Sequence, residues 1–218
     1  VCAGDLALFL AYEALSRAGD ASLVRLFSER SAVVGLGQMQ DVYWGMGSRV
    51  PDEDAIISMY EHKTATYTFC LPFLLGAGVA GCDAVLAGRL DELGRLLGAL
   101  FQIRDDELGL YGGDGLGKSV GIDLVMGKKT LHYALLLSSA SAAERDRLRS
   151  LQSSGAVAAA EFSFVRGLLE KYGVRSSVRL RVDALFLAAG TLIEGLAVPA
   201  GGKGLLRSLL RFVSERGR

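Results

Sequence analysis

The stretch FQIRDDELGLYGGDGLGKSVGIDLVMGKKTL, residues 101–131, carries the densest set of chemistry-bearing side chains in the chain. Its first part keeps a helical apolar rhythm. On a helix Gln102 faces Asp105 three positions on and Asp106 four positions on, so the three side chains share one face. Neighbouring carboxylates repel unless a cation lies between them, and hard oxygen donors suit Mg²⁺. A bare pair of aspartates reads equally well as two solvated acids paired with Arg104 or a nearby lysine. The second part loses the apolar rhythm and is rich in glycine, which marks a loop. There the run Gly117-Lys118-Ser119 offers backbone N–H groups and an ammonium to phosphate oxygens. Helical spacing resumes at Lys129 and runs toward Ala140. Residues 112–119 also fit GxxxxGK[ST], a nucleotide-binding pattern, but that pattern requires a strand before it, and the residues before it have helical spacing.

Upstream, Pro51-Asp52-Glu53-Asp54 signals a helix start, with proline and acids in the first turn. The helix it opens runs through Ile56, Tyr60, Lys63 and Tyr67 and ends toward residues 76–81. Tyr60, Lys63 and Tyr67 are spaced to put a lysine on a largely apolar face, where it either snorkels to the surface or meets an anion. Residues 64–82 carry no charge, yet their threonines, Pro72 and glycines make a buried soluble helix pair the better reading than a membrane span. A helix rich in Ala and Leu precedes these and stops near Gly19-Asp20. A second, with apolar residues from Leu23 to Met39, breaks between Gly45 and Pro51. Downstream, residues 142–152 read as a surface helix, 161–173 and 178–198 as two more, 199–204 as a linker, and 205–216 as a closing amphipathic segment.

Composition agrees with a helical protein that has a sizeable core. Half the residues are hydrophobic (50%), mean hydropathy is +0.32, and there are only 3 prolines. The 28 glycines point to close helix approach or many turns. A formal net charge of +0 gives no bulk attraction to nucleic acid or an anionic membrane, so phosphate recognition falls to local cations. Cys2, Cys70 and Cys82 lack metal-ligand spacing and suit a reducing cytoplasm. His62 and His132 have no second ligand at helical spacing. Tyr43, Trp44 and the C-terminal Leu and Phe residues read as core.

Residues 101–131 resemble the second aspartate-rich region of trans-isoprenyl diphosphate synthases, whose pattern is FQxxDDxxD, then GK, then DxxxGK. KTATYTF at 63–69 is similar to that family's KT helix, GQMQD at 37–41 to its GQxxD helix, and AGDLALFLAYEAL at 3–15 to its GD helix. The blocks follow the family's order. The resemblance implies an all-α, single-domain antiparallel helical bundle around a central cavity (the isoprenoid synthase fold), spanning residues 1–218. It implies prenyl transfer, with isopentenyl diphosphate condensed onto an allylic diphosphate with the help of Mg²⁺. Asp105 and Asp106 would bind the metal. Lys63 and Lys118 would contact the diphosphate, and Gln102 and Thr64 would stabilise the allylic cation. Gln38 and Lys128 would complete the substrate site. A cytoplasmic homodimer is the implied state, with residues 64–82 a candidate for the contact.

Two departures qualify this. Gly109 stands where the family carries its third aspartate, and Glu107 does not replace it. The family's first aspartate-rich motif and its basic segment for isopentenyl diphosphate have no counterpart after Val1, so an N-terminally incomplete domain, inactive on its own, is expected. A non-catalytic partner subunit of the same fold is the competing expectation.

Overall fold

The computed structural model describes residues 1–47, 50–111, 128–153 and 159–215. Every regular element among them is a helix. Helix α1 (Cys2–Ser16) turns at Gly19, whose φ of 70° is a conformation glycine adopts without strain, into α2 (Ala21–Met46). Asp20 caps α2, its carboxylate accepting from the Ser22 N–H at 2.8 Å. Asp52 caps α3 (Glu53–Tyr60) in the same way at the Ala55 N–H, 2.9 Å away, with Glu53 and Asp54 in the first turn. Pro51 lies ahead of the cap, not inside the turn.

From Tyr60 the chain continues without a break into a π-helix, Glu61–Cys70, and then into α4 (Leu71–Val79). Sequence spacing predicts an ordinary helix there. The wider turn changes which residues share a face. Tyr60 is 1% exposed and Tyr67 is 56% exposed, so the expected Tyr60–Lys63–Tyr67 stripe does not form. Helix α5 (Ala84–Tyr111) follows, capped by Asp83, which accepts from the Leu86 N–H at 2.7 Å. Beyond residue 127 come α6 (Leu131–Ser139), capped by Thr130, then α7 (Ala142–Ser153), α8 (Ala159–Lys171), α9 (Val174–Glu194) and α10 (Ala200–Glu215).

The π-helix and α5 form the centre, and they run antiparallel. Thr64 meets Gln102, Ala65 lies against Gly98, and Cys70 against Gly94. A Cβ on Gly98 would stand 2.1 Å from the Ala65 Cβ, so only glycine allows this approach. On the other side α2 is also antiparallel to the 53–79 run. Leu23 touches Gly78, and a Cβ on Gly37 would come within 2.7 Å of the Lys63 nitrogen. The glycine content therefore serves close approach as well as turns. Helix α9 packs antiparallel to α5, with Arg175 near Glu107 at one end and Arg89 donating to the Gly195 carbonyl at the other, 2.5 Å away. One hydrophobic cluster runs through the bundle from Ile56 to Val213.

Two expectations are corrected. Residues 200–204 are not a linker but the start of α10. Each glycine costs about 1 kcal/mol relative to alanine in a helix interior, while burying Leu210 and Val213 contributes roughly 1.5–3 kcal/mol apiece. Lys203, which donates to the Glu194 carbonyl, and Arg207, paired with the Glu194 carboxylate at 2.6 Å, also tie the segment to α9. Tyr43 is not core: it is 71% exposed. Among the described residues no helix is long and apolar enough to cross a membrane. Most of the uncharged 64–82 run is interior, with Thr64, Ala65, Thr66, Phe69, Cys70, Leu71 and Ala77 buried.

Candidate active site

Asp106 is the point on which the site is built. It projects from α5 and is 1% exposed. Its Oδ1 accepts from Gln102 Nε2 at 3.0 Å, one turn back on the same helix, and from Lys128 Nζ at 2.8 Å. Its Oδ2 accepts from the Tyr60 hydroxyl. Tyr60 in turn accepts from the Leu131 N–H at the start of α6, 3.0 Å away. Gln102 accepts at Oε1 from the Thr64 hydroxyl at 2.7 Å. Thr64, Gln102, Asp106 and Lys128, four of the residues singled out from sequence, are thus joined in one chain of hydrogen bonds. The antiparallel register of the π-helix against α5 brings them together.

Lys63, beside Thr64, is half-buried and its ammonium donates to Asp41 on α2. The π-helix turns this lysine toward α2 and away from α5. The Asp41 charge also reaches Tyr60. Gln38, one turn before Asp41, is exposed and joins neither group. Asp105 is half-buried on α5. Lys118 and the glycine-rich segment with the GxxxxGK[ST] match lie outside the described residues. The residues leading into that segment belong to a helix, not to the strand a nucleotide-binding loop needs.

The electrostatics follow from burial. Burial first, then the Asp106 charge, push the Tyr60 hydroxyl well above its ordinary pKa, so it stays protonated and donates. Burial lowers the pKa of Lys129. Burial works against ionisation of Glu107, but Arg104 and Arg175 outweigh it and leave its carboxyl below the usual range. Glu107 is therefore committed to two arginines on the flank of α5. His132 is fully buried, both ring nitrogens lack hydrogen-bond partners, and burial holds its pKa below the ordinary value.

For a divalent cation the described residues offer hard oxygen donors, but no group of three or more His, Cys, Asp or Glu among them could hold a metal. Mg²⁺ needs less from the protein, since it is usually held by one or two carboxylates together with substrate phosphates and water. Three hydrogen bonds already occupy Asp106, against roughly four acceptor positions on a carboxylate. Asp105, on the same face, is the carboxylate best suited to a metal bridging a diphosphate.

Sequence reading did not assign two participants. Tyr60 was visible only as part of an apolar stripe, and its link to Asp106 spans 46 positions. Asp41 belongs to the GQMQD block, but nothing local announces its pairing with Lys63.

Comparison with known proteins gives the same family. The polyprenyl synthetase family model matches residues 1–165. A geranylgeranyl pyrophosphate synthase of Gibberella zeae is 28% identical over 197 residues, covering 89% of this chain and 51% of that protein. A short chain isoprenyl diphosphate synthase of Methanothermobacter thermautotrophicus is 31% identical over 160 residues, 71% of this chain and 49% of that protein. The chain spans about half the length of these curated relatives. Among solved structures, the geranylgeranyl pyrophosphate synthase of Corynebacterium glutamicum, complexed with isoprenyl diphosphate and magnesium, superposes with a TM-score of 0.86 at 27% identity. That match covers 99% of this chain and 62% of that one. With the all-helical bundle in place and the family's motif blocks in order along it, the chain belongs to the polyprenyl synthetase family.

Proposed function

We propose that this protein is a trans-prenyltransferase that condenses isopentenyl diphosphate with an allylic diphosphate and releases diphosphate. The observation that carries this reading is the linked Thr64–Gln102–Asp106–Lys128 network, with the Lys63 ammonium beside it, in a chain of this family. Lys63 and Lys128 are each held by a carboxylate, Asp41 and Asp106. A diphosphate is the stronger competitor for both cations, and receiving it exchanges one anion for another. Lys118, with its adjoining glycines, adds a further cation. The Thr64 hydroxyl and the Gln102 carboxamide present oxygen to the carbon that becomes cationic as the allylic C–O bond breaks. Mg²⁺, held by Asp105 with Asp106 beside it, neutralises the leaving diphosphate. The new C–C bond draws on the isopentenyl double bond, which then loses a proton. Gln38, exposed near Lys63 in sequence, is assigned to the substrate entrance.

The protein acts in the cytoplasm as a homodimer. Residues 64–82, mostly interior, do not suit the contact. Support for a second copy comes instead from α1, which buries none of its residues, and from α2. Phe9, Leu36, Met39, Tyr43 and Met46 are all exposed on these two helices.

The test is incorporation of radiolabelled isopentenyl diphosphate into allylic primers by the full-length protein with Mg²⁺. Chain-elongated product is expected. Gly109, in the place of an aspartate, supports one competing reading, a non-catalytic partner subunit. Full-length protein that is inactive alone but raises the turnover of a second prenyl synthase would establish that reading instead.

A further inference from the structure

We propose that Tyr60 and Asp106 form a positioning pair that sets Gln102 and Lys128 for the diphosphate, with Asp106 a hydrogen-bond hub and Asp105 alone taking the metal. The proposal rests on the prenyl-transfer reading and assigns roles within its site. A single buried hydroxyl touches all three walls of that site. Tyr60 is the last residue of α3, immediately ahead of the π-helix that bears Lys63 and Thr64. It donates to Asp106 on α5 and accepts from the Leu131 N–H on α6. Lys128 lies three residues before Leu131 and reaches the other oxygen of the same carboxylate. The Tyr60 hydroxyl therefore fixes both the carboxylate that orients Lys128 and the backbone from which Lys128 extends. Gln102 is held on both sides, by Thr64 and by Asp106, which orients its amide so that the oxygen faces Thr64 and the NH₂ group faces the carboxylate. Without the Tyr60 bond Asp106 Oδ2 has no described donor, and the carboxylate is free to rotate. Lys128 and Gln102 would follow it. Tyr60 touches neither substrate nor metal in this scheme and acts only through Asp106.

The experiment uses the full-length protein and three readouts. Calorimetry measures binding of inorganic diphosphate in the presence of Mg²⁺, kinetics measures kcat/KM for the allylic substrate, and a Mg²⁺ titration of turnover gives the apparent metal requirement. Tyr60→Phe is expected to weaken diphosphate binding at least fivefold and to lower kcat/KM about tenfold or more. In a Lys128→Met background the same substitution should add less than threefold, because the two act through one carboxylate. Tenfold effects in both backgrounds would make Tyr60 a structural residue and overturn the proposal. Asp105→Asn should raise the Mg²⁺ requirement at least tenfold and Asp106→Asn less than threefold. Equal increases would make Asp106 a ligand and overturn it as well. This metal arm stands even if Tyr60→Phe melts below the assay temperature. If the unaltered protein transfers no prenyl group, the functional reading fails by itself, and the calorimetric arm still decides whether Tyr60 governs diphosphate binding.

Discussion

At the scale of single residues, what matters is which oxygen is already taken. Asp105 and Asp106 are adjacent and alike in sequence, yet one is a buried acceptor of three hydrogen bonds and the other is half-exposed. We expect Asp105→Ala in the full-length enzyme to lower turnover roughly 100-fold or more, the scale on which removing a group that stabilises developing charge acts. Helix content by circular dichroism should be unchanged, and activity within a few-fold of wild type would make Asp105 a surface acid. His132 carries a different prediction. Burial holds its folded pKa below the unfolded value of about 6.5, against the opposing pull of Asp106 and Glu107 and with help from Arg175. The unfolded chain therefore binds a proton that the folded chain refuses. This contribution to stability is complete above pH of about 6.5 and is lost as pH falls through the unfolded value toward the folded one. Urea denaturation between about pH 5 and 7.5 should show stability rising with pH, and His132→Phe should flatten that slope. An unchanged slope would place the titration elsewhere.

At the scale of elements, the π-helix and the glycines facing it act together. Ten residues, Glu61–Cys70, wind more widely than an α-helix. Lys63 therefore faces α2 while Thr64 faces α5, so adjacent residues reach different walls. Gly98 and Gly37 permit the approach that makes both contacts possible. Gly98→Ala would put a methyl group 2.1 Å from the Ala65 Cβ, on two backbones that are themselves buried. Such overpacking costs typically about 1–3 kcal/mol. We expect a loss of that size in chemical denaturation. Because Ala65 adjoins Thr64, kcat should fall as well, and a neutral substitution would show that α5 can move aside freely. Pro51-Asp52 and Asp83 were legible as helix starts because capping is local. The π character was not, since no residue type demands it and helix packing decides it. The α10 start was misread for the same reason: glycine is locally unfavourable, and burial on α5 and α9 overrides it.

At the scale of the whole molecule, α1 and α2 leave large apolar side chains in solvent. A second copy is the occupant the proposed dimer supplies. Sedimentation of the full-length protein should give a dimer, and the double substitution Met39→Glu with Tyr43→Glu should shift it toward monomer without unfolding it. A stable monomer in the unsubstituted protein would rule this interface out. The all-helical bundle and its family were readable from residues 1–218 alone. Apolar spacing, caps and motif blocks such as GQMQD, KTATYTF and FQIRDD are written within a few turns of helix, where sequence distance and spatial distance agree. The roles inside the site were readable only as candidates. Tyr60 meets Asp106 across 46 positions, Lys63 meets Asp41 across 22, and Lys128 meets Asp106 across 22. Tertiary packing alone decided which of two neighbouring aspartates is enclosed by donors, because a hydrogen bond between helices depends on their register and closeness, and those depend on buried surface and on glycines that let backbones touch.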